Sequence, residues 1–238
     1  MRYLDVTLAD AADNLALDEA LLLQAESGAG GEVLRVWEYP RPVVVLGAGG
    51  RVADDIHDAN CAADGVPVLR RSSGGGTVLW GRGCLLFSVV LNYDRSPRLH
   101  EIGPSYAYIL EHVAAALRDV VPNITPAGIS DLAVAGRKCS GNAQQRKRAH
   151  VLHHGTLLYD FDLDGIGRYL RAPPRQPEYR AGRSHTEFLC NLPLTADELK
   201  RRLREVWRAV PTDDGWPTEM VRGLVAEKYG RAEWNRRR

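Results

Sequence analysis

The chain is predicted to be a single α+β domain, with helices outside a mixed or antiparallel sheet. Leu85-Leu86-Phe87-Ser88-Val89-Val90-Leu91 is nearly all apolar, the pattern of a strand buried on both faces. Segments around 105–119 and 195–210 repeat apolar residues at helical spacing. Strand-like and helix-like stretches alternate along 238 residues with no internal repeat, linker or compositional break, which fits one domain.

In order, a short strand-like start leads to Asp13, placed to cap a helix through Asn14–Leu22 that Gly28 to Gly31 ends. Val33–Trp37 and Val43–Leu46 are β-rich, and Tyr39-Pro40-Arg41-Pro42 between them reads as a tight, hairpin-like connection. Gly47 to Gly50 closes the second. Ala53–Asp64 is helix-compatible, and Val66–Arg71 is again strand-like. Ser105–Asp119 lines up Tyr106, Ile109, Leu110, Val113 and Leu117 as a core-packing stripe. Asp131–Val134, Arg137–Ser140 and Val151–Tyr159 read as strands, with Ala135-Gly136 as a tight turn. Pro173 to Arg183 reads as an ordered loop. Thr195 with Glu198 forms a capping box, and a last amphipathic helix covers Thr218 to Tyr229.

Apolar residues make up 45% and charged residues 26%, the profile of a soluble globular protein. A formal net charge of +1 gives no global field for nucleic acid or an anionic membrane, and neither is expected as a partner. Cys61, Cys84, Cys139 and Cys190 lack CxxC spacing, and the N-terminus does not resemble a signal peptide. Reduced thiols and a cytoplasmic location are expected.

Two constellations carry chemistry. In Arg70-Arg71-Ser72-Ser73-Gly74-Gly75-Gly76-Thr77-Val78, two arginines meet a triple glycine. Such a backbone can take positive φ, approach a ligand closely and offer N–H groups to an anion, with arginine supplying forked donors. An ordinary strand–turn–strand is the plain alternative. In Arg137-Lys138-Cys139-Ser140-Gly141-Asn142-Ala143-Gln144, a lysine at the end of a short strand precedes small residues that read as a turn. It can hold an anion, act as a nucleophile, or simply face water. His153-His154-Gly155-Thr156-Leu157 begins an apolar strand, so the two histidines face opposite ways, which suits one to a pocket and the other to a structural role.

Those three motifs, in this order and spacing, resemble the catalytic domain of lipoate–protein ligases, within the wider lipoate/biotin protein ligase and octanoyltransferase superfamily. Asn14–Leu22, Leu34–Glu38, Val43–Gly47 and Glu227–Gly230 with Trp234-Asn235 add to the likeness. The resemblance implies that superfamily's catalytic-domain fold, and a ligase that activates lipoate or octanoate with ATP and Mg²⁺ as an acyl-adenylate. The acyl group then passes to a lysine of a lipoyl-acceptor domain or a glycine-cleavage H-type protein. By resemblance Lys138 contacts the acyl carboxyl and the phosphate. Arg71 and Gly76-Thr77-Val78-Leu79 sit on the nucleotide. Arg70 to Gly75, with Ser73 and Gly74 between them, shape the mouth of the acyl pocket. Asp131 stands near magnesium, and His154 and Gly155 line the pocket. Gly141, Ala143 and Thr156 belong to the same binding set.

The match departs in three places. Trp80-Gly81-Arg82-Gly83 replaces a histidine–aspartate pair and is similar to the octanoyltransferase branch, Asn142 stands where serine is usual, and the chain ends near Trp234-Asn235. The resemblance thus implies one catalytic domain over 1–238 without the longer ligases' accessory domain; either a separate accessory subunit supplies that function as a partner, or the chain uses only part of the two-step reaction. The alternative is an octanoyl or lipoyl transferase that takes its acyl group from acyl carrier protein or another lipoyl domain without ATP, through a cysteine thioester. By resemblance that cysteine would lie in the loop before Asp131, here Thr125-Pro126-Ala127-Gly128-Ile129-Ser130, which holds none, and this favours the ligase. A non-catalytic acyl- or nucleotide-binding member is the third reading.

Overall fold

The computed structural model describes residues 1–173 and 176–238. Its strands are β1 (Arg2–Asp5), β2 (Val33–Glu38), β3 (Val43–Leu46), β4 (Val68–Arg70), β5 (Val78–Trp80), β6 (Cys84–Asn92), β7 (Ile124–Ala127), β8 (Asp131–Val134), β9 (Arg137–Arg146), β10 (His150–Leu158) and β11 (Val210–Pro211). Its helices are α1 (Ala11–Glu26), α2 (Val52–Asp55), α3 (Asp58–Ala63), α4 (Ile102–Ala115), α5 (Ile166–Tyr169), α6 (His185–Phe188), α7 (Ala196–Val206), α8 (Thr218–Leu224) and α9 (Ala232–Asn235).

Eight strands form a mixed sheet in the order β11-β1-β2-β6-β10-β9-β8-β7, and β4-β3-β5 form a smaller one. β1 runs parallel to β2 and β11, and the other neighbours in the large sheet are antiparallel. The apolar run at Cys84–Leu91 is buried along its length because the large sheet is covered on both faces. One face packs against α1 and the small sheet through residues such as Leu17, Leu21, Val44 and Leu86. The other packs against α4 and α7 through Phe87, Ile109, Leu117 and Leu199.

The turn Ala135-Gly136, with φ of 49° and 76°, joins β8 to β9 as expected, and the Thr195–Glu198 capping box opens α7. Elsewhere the structure corrects the expectation. α1 begins at Ala11, with Asp10 at the N-cap position and Asp13 inside the first turn. β2 and β3 are not a hairpin: β2 pairs with β1 and β6, while β3 pairs with β4 and β5. Tyr39–Pro42 therefore carries the chain from one sheet to the other. Ala53–Asp64 splits at the extended, buried Ile56, which bridges to Leu170. The final helix continues past Leu224 as a π turn, Val225–Tyr229. Part of the loop expected before Asp131 is a strand, β7; Pro126 is tolerated there because β7 lies at the sheet edge. In the segment Pro173 to Arg183, Pro174 and Arg175 lie outside the described residues. After them, Glu178–Arg180 forms a 3₁₀ turn.

Candidate active site

One cleft lies between the two sheets and encloses about 650 Å³, its open mouth included. Its floor is a register row across the large sheet. Trp37 of β2 stands opposite Leu86 of β6, Leu86 opposite Thr156 of β10, and Gly141 of β9 opposite Asp131 of β8. The Gly141 N–H donates to Thr156 Oγ1 at 3.3 Å, closing the row. At about 4.8 Å per strand, the floor runs roughly 19 Å from tryptophan to aspartate. Gly75 to Val78 and Trp80 form the roof. Trp37 and Trp80 meet edge to face at 4.9 Å, so one end of the cleft is aromatic and the other charged.

Lys138 stands at the charged end, its Nζ 2.8 Å from Asp131 Oδ1. Residues 138 and 141 would face opposite ways in an unbroken strand. A bulge in β9, where Cys139 is the extra residue opposite the Leu132–Ala133 step of β8, corrects the phase: Ser140 pairs with Leu132 and Lys138 with Ala133. Cys139 turns into the core below, and Lys138 stays on the cleft face with Gly141. A Cβ on Gly141 would lie 2.9 Å from Lys138 Nζ, so the glycine makes room for the ammonium. Lys138 is therefore near the start of a ten-residue strand, and Ser140 to Ala143 continue that strand instead of forming the expected turn.

The glycine-rich loop wraps around Arg71. This buried guanidinium donates to Ser73 Oγ at 3.0 Å and to the Gly76 carbonyl at 2.8 Å, with Gly74 and Val45 carbonyls as further acceptors. Among the described residues its hydrogen-bond partners include no carboxylate, and burial pushes its pKa down to about 10. Of the three glycines only Gly75 has positive φ, 85°. A Cβ there would meet Arg71 Nη2 at 3.0 Å.

A second polar row lies beside the floor. Arg35, Ser88 and His154, neighbours on β2, β6 and β10, converge on Asp18 of α1. Arg35 Nη1 donates to Asp18 Oδ1 at 2.7 Å and Ser88 Oγ to the same oxygen at 2.8 Å. His154 Nδ1 is 3.4 Å from Asp18 Oδ2, and His154 Nε2 is 2.6 Å from Ser73 Oγ. Burial pushes the Asp18 carboxyl up, but the Arg35 charge and the His154 hydrogen bond outweigh it and leave it below the ordinary range. His153 faces the opposite core, between Gln144 Nε2 and Asn142 Oδ1, each at 3.2 Å. Burial, helped by His154, pushes the His153 pKa down to about 3, so it stays neutral.

Of the residues singled out from sequence, the cleft wall collects Arg71, Gly75, Gly76, Thr77, Val78, Asp131, Lys138, Gly141, Ala143, His154, Gly155 and Thr156. Arg70, Ser73, Gly74 and Leu79 are not on it. Arg70 is fully buried and clamps the carbonyls of Gly47, Gly50 and Trp234, which removes it from the pocket mouth. Ser73 lies beneath the wall against His154 and Arg71, and Leu79 faces into the core. Asp131 was expected beside magnesium. Its Oδ1 pairs with Lys138 and its Oδ2 accepts from Tyr179 at 2.7 Å, each oxygen keeping a second lone pair. None of the four cysteines lines the cleft, and burial raises the pKa of each.

Residues 10–206 match the model of the lipoyl protein ligase A/B catalytic domain. The chain belongs to that family. Lipoate–protein ligase 1 of Staphylococcus aureus is 27% identical over 237 residues, covering 93% of this chain and 69% of the relative. Octanoyltransferase LipM of Moorella thermoacetica is also 27% identical, over 268 residues, covering 100% and 98%. The fold is shared with a solved lipoate–protein ligase A bound with ATP, at a TM-score of 0.84 and 24% identity over 99% of this chain and 98% of that one. A bipartite lipoate protein ligase from Thermoplasma acidophilum gives 0.81 and 23%, over 99% and 95%. Both enzyme classes thus sit among the relatives of this family member.

Sequence reasoning missed Asp18, Trp37, Trp80 and Tyr179. Asp18-Glu19 inside an alanine–leucine helix, and Arg35 inside an apolar strand, were the available signals. Charges in runs that must be buried demand partners.

Proposed function

We propose that the chain is an ATP-dependent lipoate (or octanoate) protein ligase that forms an acyl-adenylate and transfers the acyl group to a lysine of a lipoyl-acceptor domain. The observation that carries this reading is the wall itself: a lysine ammonium and a buried arginine without a carboxylate partner, and no cysteine. Adenylation brings a carboxylate and an α-phosphate together despite their repulsion. Fixed cations at that point stabilise the charge that builds up as a carboxylate oxygen bonds to the α-phosphorus and the bond from that phosphorus to the bridging oxygen of the β-phosphate breaks, releasing pyrophosphate. Lys138 takes that role, with Arg71 behind the glycine loop. The acyl chain extends along the floor toward Trp37, Leu86 and Trp80, where apolar surface favours it. Nucleotide phosphates lie under Gly75 to Val78. Magnesium enters with the nucleotide.

Similarity to octanoyltransferase LipM supports a second reading, acyl transfer from a thioester without ATP. That reaction through a cysteine needs a thiolate beside the substrate. Here the four thiols are off the wall and burial disfavours their thiolates. A variant with all four cysteines replaced by serine or alanine separates the readings. If the chain is a ligase, this variant should consume ATP and lipoylate an acceptor domain at a rate near that of the parent. Loss of transfer on removing one cysteine, together with ATP-independent transfer by the parent, would sink the ligase reading.

A further inference from the structure

Acyl transfer to an amine, the reaction proposed for this cleft and the one on which this inference rests, leaves a proton without a destination. The acceptor lysine sheds one proton to water to become a free amine. When its nitrogen bonds to the acyl carbon, it must lose a second as the carbon–oxygen bond to AMP breaks and AMP leaves as a phosphate anion. Among the described residues, the titratable side chains on the cleft wall are Asp18, Arg71, Asp131, Lys138 and His154. Arg71 is a cation at neutral pH. Lys138 is an ammonium held by Asp131, whose second oxygen accepts from Tyr179. Asp18 accepts from Arg35 and Ser88. Only an imidazole changes charge readily between pH 5 and 8.

The geometry points to His154 as the general base that receives the amine proton. The Asp18 carboxylate can only accept, so Nδ1 of His154 carries the hydrogen and Nε2 presents a lone pair. Ser73 Oγ donates to that lone pair in the free enzyme and is itself held by Arg71 Nε. The Ser73 hydroxyl turns off Nε2 so that an incoming amine reaches it from the cleft that His154 lines, Nε2 binds the amine proton, and Asp18 stabilises the resulting imidazolium. Asp18 is a positioning residue in this scheme. The charged groups facing His154 are Asp18 from α1 with Arg35 behind it on β2, and Arg71 from the glycine loop. Lys138 with Asp131 lies further along the same cleft.

The test supplies chemically made octanoyl-adenylate to the full chain and compares two nucleophiles, a lysine-bearing acceptor domain and hydroxylamine. Hydroxylamine is already a free base at neutral pH and depends less on a protein base. His154→Gln is expected to slow transfer to lysine about a hundredfold or more, and hydroxamate formation by less than about tenfold. Added imidazole is expected to restore part of the lysine transfer in His154→Ala. The pH profile of lysine transfer is expected to lose a one-proton dependence between wild type and His154→Gln, while the limb from the acceptor amine's own ionisation stays in both. Equal losses with both nucleophiles, or identical profiles in the two chains, would overturn the assignment. If only an octanoyl thioester serves as donor, the adenylate reading falls and the same comparison on the thioester decides His154. If neither donor works in the wild type, acyl transfer and this inference fall together.

Discussion

Gly155→Ala is expected to be costly although only one methyl group is added. Gly155 of β10 stands opposite Asn142 of β9, and a Cβ there would overlap Asn142 Oδ1 and lie 3.0 Å from Phe87 Cε1. Asn142 cannot swing away freely. Its Nδ2 donates to the Ser130 carbonyl at 2.8 Å and to Ser140 Oγ at 3.0 Å, and its Oδ1 is the acceptor for the fully buried His153 Nε2–H. Overpacking costs about 1–3 kcal/mol, and orphaning a buried donor costs about 1–3 kcal/mol more. The sum is about 2–6 kcal/mol, read as a lower urea midpoint with an unchanged slope. Asn142→Ala removes the obstacle, so the double variant should be less destabilised than the sum of the singles by about 1–3 kcal/mol. A loss below about 0.5 kcal/mol, or strictly additive costs, would refute this account of the strand pair.

Lys138→Ala should abolish adenylate formation, measured as lipoate-dependent pyrophosphate release, while shifting stability by less than about 2 kcal/mol because the ammonium is partly solvated. Arg70→Met should destabilise by about 2–4 kcal/mol in urea titration, since the Gly47, Gly50 and Trp234 carbonyls lose their donor. His153 is neutral in the folded chain, with its pKa pushed down to about 3, and protonates near 6.5 when unfolded. The unfolded state therefore binds more protons between those values, and stability falls as pH drops below 6.5, by about 2 kcal/mol at pH 5. His153→Gln should flatten that slope in urea midpoints taken between pH 7 and 5.

Much of this fold was legible because its strongest signals are local. The stripe of α4, the Thr195 capping box and the apolar run of β6 depend on nearby residues, and each reappears in place. What escaped depends on long-range pairing. Nothing between Val33 and Leu46 announces that β2 and β3 join different sheets, since that choice is made by β4, β5 and β6. The site divides the same way. Lys138 and His154 stand out by type and motif. The bulge that turns Lys138 into the cleft, and the approach of Asp18 from a helix 136 residues away in sequence from His154, exist only once the sheet is assembled. Arg70 and Arg71 are adjacent and chemically alike, yet one clamps the C-terminal segment and the other underlies the loop. Strand alternation, invisible in composition, separates them.

The most direct measurement of the ligase assignment is the stoichiometry of AMP to lipoyl-lysine when the chain, any accessory subunit it needs, lipoate, ATP and a lipoyl-acceptor domain are combined. One AMP and one pyrophosphate are expected for each lysine modified, with no transfer when ATP is withheld. Transfer from an acyl thioester at an undiminished rate without ATP, and no AMP release with it, would contradict the assignment.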